Sequence, residues 1–181
     1  GYLALSVAND LVDALTDRHS CDLAREFAFP LPVRIICRML DVPESDAVAL
    51  GSAASALVRV FDPQITKEDL LKASEAFTVL EDYFSAVIVA RHNSSASDLV
   101  SLFLRSSSDG DRLQHDEVIS NVILLFIAGH ETTSNMLCNA LLALHDNPLE
   151  LERLKQDHTL IPAAIGECLR HDSSVQMLYR I

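Results

Sequence analysis

Tryptophan is absent from this chain of 181 residues, and glycine and proline are scarce, at 5 and 6. So few turn-formers, together with few strand signals, point to a mainly helical chain. Basic side chains are also short in supply: 14 Lys plus Arg stand against 26 Asp plus Glu, a formal net charge of −12. That balance argues against a general nucleic-acid or anionic-membrane surface. The four cysteines, Cys21, Cys37, Cys138 and Cys168, contain no C-x-x-C pair. Neither a zinc site nor a disulfide framework is indicated, and each thiol is expected to be a small buried or half-buried apolar group. No apolar run approaches the roughly 20 residues that span a bilayer. The longest strongly apolar stretch is Val122 to Gly129. No signal peptide stands at the start, so a cytoplasmic protein with no membrane span is expected.

What is present is a globular composition, 49% hydrophobic, with apolar residues recurring at three and four spacing. This predicts a mainly α chain with minor β. Helices are expected over Leu3 to Arg18, Pro32 to Leu40, Pro43 to Val60, Thr66 to Arg91, Asp98 to Arg105 and His115 to His145, then to Gln156 and from Pro162 onward. Prolines open several of them, where a missing N–H does no harm. Thr66 with Asp69 three residues on reads as a capping arrangement. Cys21 to Phe29 reads as a connector with a strand-like start, His92 to Ser97 as a Ser-rich loop, and Ser106 to Arg112 as a polar loop. The chain opens at Gly1 and stops at Ile181, just after what reads as the opening of a strand; a single partial domain over 1–181 is expected.

The central helix carries the most unusual stretch, Ala128-Gly129-His130-Glu131-Thr132-Thr133, inside an otherwise apolar segment. Helix periodicity puts Ala128, Gly129 and Thr132 on one patch, extended by Leu125 and Met136. The patch is a shallow notch with a hydroxyl at its edge. Glycine inside a helix costs roughly 0.5–1 kcal/mol against alanine, tolerable where a flat ligand must approach the backbone. Thr132 is expected to bond back to the Ala128 carbonyl. The competing structural explanation is close helix packing against the small residues. Further on, Glu167 and Arg170 are set one turn apart on one helix face, an arrangement that alone is common in acidic helices.

Both motifs together resemble the cytochrome P450 superfamily of haem-thiolate monooxygenases, in particular its soluble bacterial members. That family carries [Ala/Gly]-Gly-x-[Asp/Glu]-Thr-[Thr/Ser] on the long helix across the distal haem face, and Glu-x-x-Arg on a later helix. Phe29-Pro30-Leu31-Pro32-Val33, Leu40-Asp41-Val42-Pro43, Gly110-Asp111-Arg112-Leu113, Asn147-Pro148 and Val175-Gln176-Met177 are similar to further landmarks, so the resemblance covers essentially the whole chain. It implies an internal fragment of that fold, from about the fourth helix to just after the Glu-x-x-Arg helix. The implied cofactor is haem b, with O2 as co-substrate and electrons from NAD(P)H through a ferredoxin, its reductase or a similar donor. The implied reaction is hydroxylation of a small hydrophobic substrate.

By that resemblance Ala128 and Gly129 lie against the haem, and Thr132 holds water and delivers protons during oxygen activation. Glu131 feeds protons to it. Arg180 pairs with a haem propionate, Glu167 and Arg170 form a fold-holding pair, and Val175 and Met177 border the substrate pocket. Leu124, Leu125 and Phe126 help wall that pocket. Ser174 and His171 depart from the proline and aromatic common at their positions. No cysteine here has the family's Phe-x-x-Gly-x-x-x-Cys-x-Gly context, so the metal ligand and the C-terminal loop bearing it are expected outside this chain, as is the N-terminal part. The chain alone is therefore expected to be inactive. His130-Glu131 begins like H-E-x-x-H, but Ser134 occupies the second histidine position, which argues against a zinc hydrolase. The alternative is a haem-free helical binding or interaction module derived from a truncated relative.

Overall fold

A computed structural model of the protein describes residues 1–91, 98–105, 107–108 and 111–176. The strand opening, Met177 and Arg180, and the Ser-rich loop lie outside the described residues. Among the described residues eight α-helices dominate: α1 Tyr2–Asp13, α2 Pro30–Leu40, α3 Ala47–Val58, α4 Lys67–Arg91, α5 Leu99–Arg105, α6 His115–Asp146, α7 Pro148–Gln156 and α8 Ile161–His171. Two-residue strands, β1 Ser107–Ser108 and β2 Asp111–Arg112, pair antiparallel within the expected polar loop.

The core is built from stripes at helical spacing. On α4 the buried residues are Ala73, Ala76, Leu80, Phe84 and Ile88; on α2 they are Pro32, Val33, Ile36, Cys37 and Leu40. Each follows the three-and-four rhythm that turns one face inward. α6 runs through the middle, presenting Val118, Val122 and Phe126 to that core, and touches α2, α3, α4, α5, α7 and α8. Phe126 is fully buried and packs against Phe84 with ring centroids 5.8 Å apart. It is a core residue and walls no pocket.

Several ends have local causes. α2 stops at Asp41, whose left-handed backbone (φ 52°) lets the Val42 N–H reach the Cys37 carbonyl at 2.9 Å while Val42 is buried; this is a Schellman-type stop. Arg91 then ties three pieces together: its guanidinium donates to the Asp41 carbonyl at 2.7 Å and meets the Asp98 carboxylate at 3.1 Å. Burial opposes ionisation of Asp98, but the Ser101 hydroxyl and backbone N–H, helped by Arg91, hold its carboxyl below the usual range. Thr66 and Asp69 cap α4 as expected, with the Asp69 N–H donating to Thr66 Oγ1 at 3.1 Å. α6 begins in a capping box between Gln114 and Glu117 that the sequence reading did not anticipate.

The segment before α2 departs from its expected strand-like start. Ala24–Ala28 winds into a wide helical turn, closed by the Phe29 N–H on the Ala24 carbonyl at 2.9 Å. Asp22 accepts from the Arg25 N–H at 3.0 Å and its own N–H donates to Glu26 at 2.9 Å, a reciprocal cap that starts this turn. Of the cysteines, Cys37 is buried and its thiol is pushed up to about 12 by burial, with Glu44 and Asp46 adding to it. Cys138 and Cys168 are half-buried, whereas Cys21 is exposed, contrary to expectation.

Candidate functional site

α6 has two unlike sides. Its buried side carries Val118, Ile119, Val122, Ile123, Phe126, His130 and Ser134. The opposite side is left uncovered over the middle of the helix, where Ala128 is exposed, Leu124 is 61% exposed, and Leu125, Gly129, Thr132 and Met136 are half-buried. The notch expected from the sequence therefore sits on open surface, bounded by leucines.

Thr132 Oγ1 donates to the Ala128 carbonyl at 2.7 Å, as expected. The hydroxyl's proton is thus committed to the helix while its lone pairs face outward, able to accept from a water or a ligand. Gly129 separates the two explanations of the small residues. A Cβ there would meet only the Ile36 Cδ1 atom, at an ordinary 3.8 Å. Packing among the described residues does not require glycine at this position, unlike Gly51 on α3, where a Cβ would press on Phe29 at 3.1 Å and Val33 at 3.2 Å. The absent side chain at Gly129 thus leaves room at the edge of the open face. An apolar strip with one hydroxyl, no charge and two minimal side chains fits a flat, largely apolar macrocycle such as haem.

Glu131 leaves the strip, about 100° further round the helix. Its Oε2 accepts from Ser55 Oγ on α3 at 2.8 Å and lies 3.8 Å from His130 Nδ1. His130 is fully buried, edge-on to Phe29 with centroids 4.5 Å apart and planes at 89°. Burial lowers its pKa, outweighing the opposite pull of Glu131, so the ring is neutral near neutral pH. Ser134, at the vacant position of the H-E-x-x-H pattern, donates to the His130 carbonyl at 3.0 Å. Among the described residues no group of His, Cys, Asp and Glu is arranged to hold a metal ion.

The Glu167–Arg170 pair forms as expected: Arg170 Nε donates to Glu167 Oε2 at 2.8 Å and Nη2 to Oε1 at 2.5 Å. Both side chains are exposed, and the Arg170 guanidinium holds the Glu167 carboxyl below its ordinary range. The pair stands on α8, apart from the notch; Cys168 between its members is half-buried. Val175 is 45% exposed, and its carbonyl accepts from Ser173 Oγ at 3.1 Å. Sequence reasoning missed Ser55 and the burial of His130. The small-residue face of α3, Gly51, Ala54 and Ser55, was the available signal for a helix lying close by.

Among the described residues no helix is long and apolar enough to cross a membrane. Residues 33–179 match the family model of cytochrome P450. The chain is 50% identical over 179 residues to the putative cytochrome P450 133B1 of Xylella fastidiosa, a match covering 98% of this chain and 44% of that protein. Among solved structures, CalO2 superposes with a TM-score of 0.87 at 30% identity over 97% of this chain and 44% of its own. P450BioI, solved in complex with hexadec-9Z-enoic acid ligated acyl carrier protein, gives 0.87 at 32% identity over 94% of this chain and 44% of its own. The chain thus spans less than half the length of the relatives it matches.

Proposed function

Because this chain belongs to the cytochrome P450 family, we propose that it forms the distal half of a haem-thiolate monooxygenase, which inserts one oxygen atom of O2 into a small hydrophobic molecule. The reading rests on one observation above all: the open face of α6 carries Ala128, Gly129 and a Thr132 hydroxyl already bonded to the Ala128 carbonyl. Haem b, held against that face, would supply the chemistry that activates O2, with electrons passed from NAD(P)H through a ferredoxin-like partner.

The chain's own residues do the rest. Ala128 and Gly129 keep the face flat, so that the macrocycle and a diatomic molecule fit without displacing backbone. Thr132, kept in one rotamer by donating to the Ala128 carbonyl, accepts a hydrogen bond from water on its outward side and so holds that water as the proton source beside the face. Glu131 holds a proton-exchanging carboxylate near the same turn, oriented by Ser55. Leu124 and Leu125 exclude water and favour an apolar substrate, with Val175 and Met177 at the pocket's border. By the family resemblance Arg180 would pair with a propionate, and Glu167 with Arg170 maintains the fold on α8, away from the notch. The reaction takes place in the cytoplasm, and the 181 residues alone lack activity.

The test is the coupling of electron use to product in the intact enzyme. Thr132→Ala is expected to raise peroxide release at the expense of product; unchanged coupling would contradict the role given to Thr132.

A further inference from the structure

His130 has no place in the proposed proton path, yet among the described residues its ring nitrogens are the buried side-chain polar atoms without a partner. Its side chain is 0% exposed, and neither ring nitrogen has a hydrogen-bond partner. A buried imidazole must still carry a proton on one of its nitrogens. Nδ1 lies 3.8 Å from Glu131 Oε2, and that same oxygen receives the Ser55 hydroxyl at 2.8 Å. A shortening of about 1 Å brings Nδ1–H into hydrogen-bond range. Phe29, from the turn before α2, and Ser55, from α3, bring no ionisable group to the ring; the charge acting on it is that of Glu131. Phe29, which packs edge-on against the ring, itself lies close against Gly51, so α3 backs this contact.

We propose that His130 is a positioning residue: its neutral Nδ1–H is a second donor to Glu131 Oε2, and together with Ser55 it fixes the carboxylate of the proton carrier between α3 and α6. A carboxylate held by two donors from two directions keeps one rotamer, whereas one held by a single hydroxyl swings with it. His130 then governs how reproducibly Glu131 meets the water beside Thr132, without touching substrate or cofactor. The inference rests on the proton role proposed above for Glu131.

Ring ¹⁵N shifts of His130 in the labelled 181-residue chain read the hydrogen bond with no cofactor required. The Nδ1–H tautomer is expected in the parent chain, and this preference is expected to be lost in Glu131→Ala. An Nε2–H tautomer, or an identical spectrum in the variant, overturns the proposal. In the intact enzyme, His130→Asn places an amide N–H near the Nδ1 position, while His130→Phe fills the cavity without a donor. Peroxide release is expected to rise several-fold in His130→Phe and to stay near the parental level in His130→Asn; equal effects of the two overturn the positioning role. If the tautomer behaves as expected but Glu131→Ala remains fully coupled, the proton role of Glu131 is what fails.

Discussion

Thr132, Gly129 and His130 sit within one turn of each other and answer to three different constraints. The Thr132 back-bond was legible in the sequence because a threonine hydroxyl on a helix has few other partners within reach than the carbonyl four residues earlier. Gly129 was legible as a cost with two competing explanations, the approach of a flat ligand or close helix packing, and the second loses its ground when the buried side proves not to need glycine there. The contrast with Gly51 yields a prediction. Gly51→Leu should destabilise the chain by about 1–3 kcal/mol, because the added side chain overpacks Phe29 and Val33; urea unfolding of the two variants should show Gly129→Ala much closer to the parent. His130 was illegible, since nothing in a lone histidine announces full burial. Its lowered pKa fixes a sign. Above the ordinary histidine range, about 6.5, the ring is neutral folded and unfolded, and stability is full. As the pH falls below that range the unfolded chain takes up the proton first, and stability declines by at most roughly 1.4 kcal/mol per pH unit. His130→Phe should flatten this decline when denaturation midpoints are compared at pH 5 and pH 7.

The helices themselves were mostly readable because amphipathic periodicity survives any tertiary detail. α2, α4 and α6 fall close to where the apolar rhythm puts them, and prolines open α2, α7 and α8. The errors lie where helical propensity and tertiary support part company. α1 ends at Asp13 rather than near Arg18. Past Leu11 the chain runs into Asp13, Thr16, Asp17 and Arg18 with nothing buried, so no packing supports the further turns. Conversely the turn at Ala24–Ala28 forms because the Asp22 carboxylate caps the Arg25 N–H, Glu26 accepts from the Asp22 N–H and Ala28 is buried, a signal that local hydrogen bonding carries and a periodicity reading does not. The weight placed on α6 is measurable. Phe126→Ala, which removes a fully buried ring from its contact with Phe84, should cost about 3–5 kcal/mol in a denaturant titration.

Burial is distributed unevenly over the chain. α2, α3, α4 and α6 share one continuous core, while α7 and α8 have no buried residue, and Leu149 on α7 is 81% exposed. Amide exchange should therefore be slowest in α4 and the first half of α6 and markedly faster in α7 and α8, since local opening costs little where little apolar surface is lost from water. The family was legible from two short motifs because both survive as contiguous strings on single helices, Ala128 to Thr133 and Glu167 to Arg170. What a motif cannot convey is orientation: that the notch lies on the open side of α6 and that Glu131 turns toward α3 are properties of the packing. The open side is what the functional proposal depends on, and it is tested by filling it. In the intact ferrous enzyme, Ala128→Phe should leave the protein folded while lowering its haem content and abolishing or strongly weakening carbon monoxide binding, read from the thiolate-type absorbance band. Carbon monoxide affinity equal to that of the parent enzyme would contradict the placement of this face over the haem.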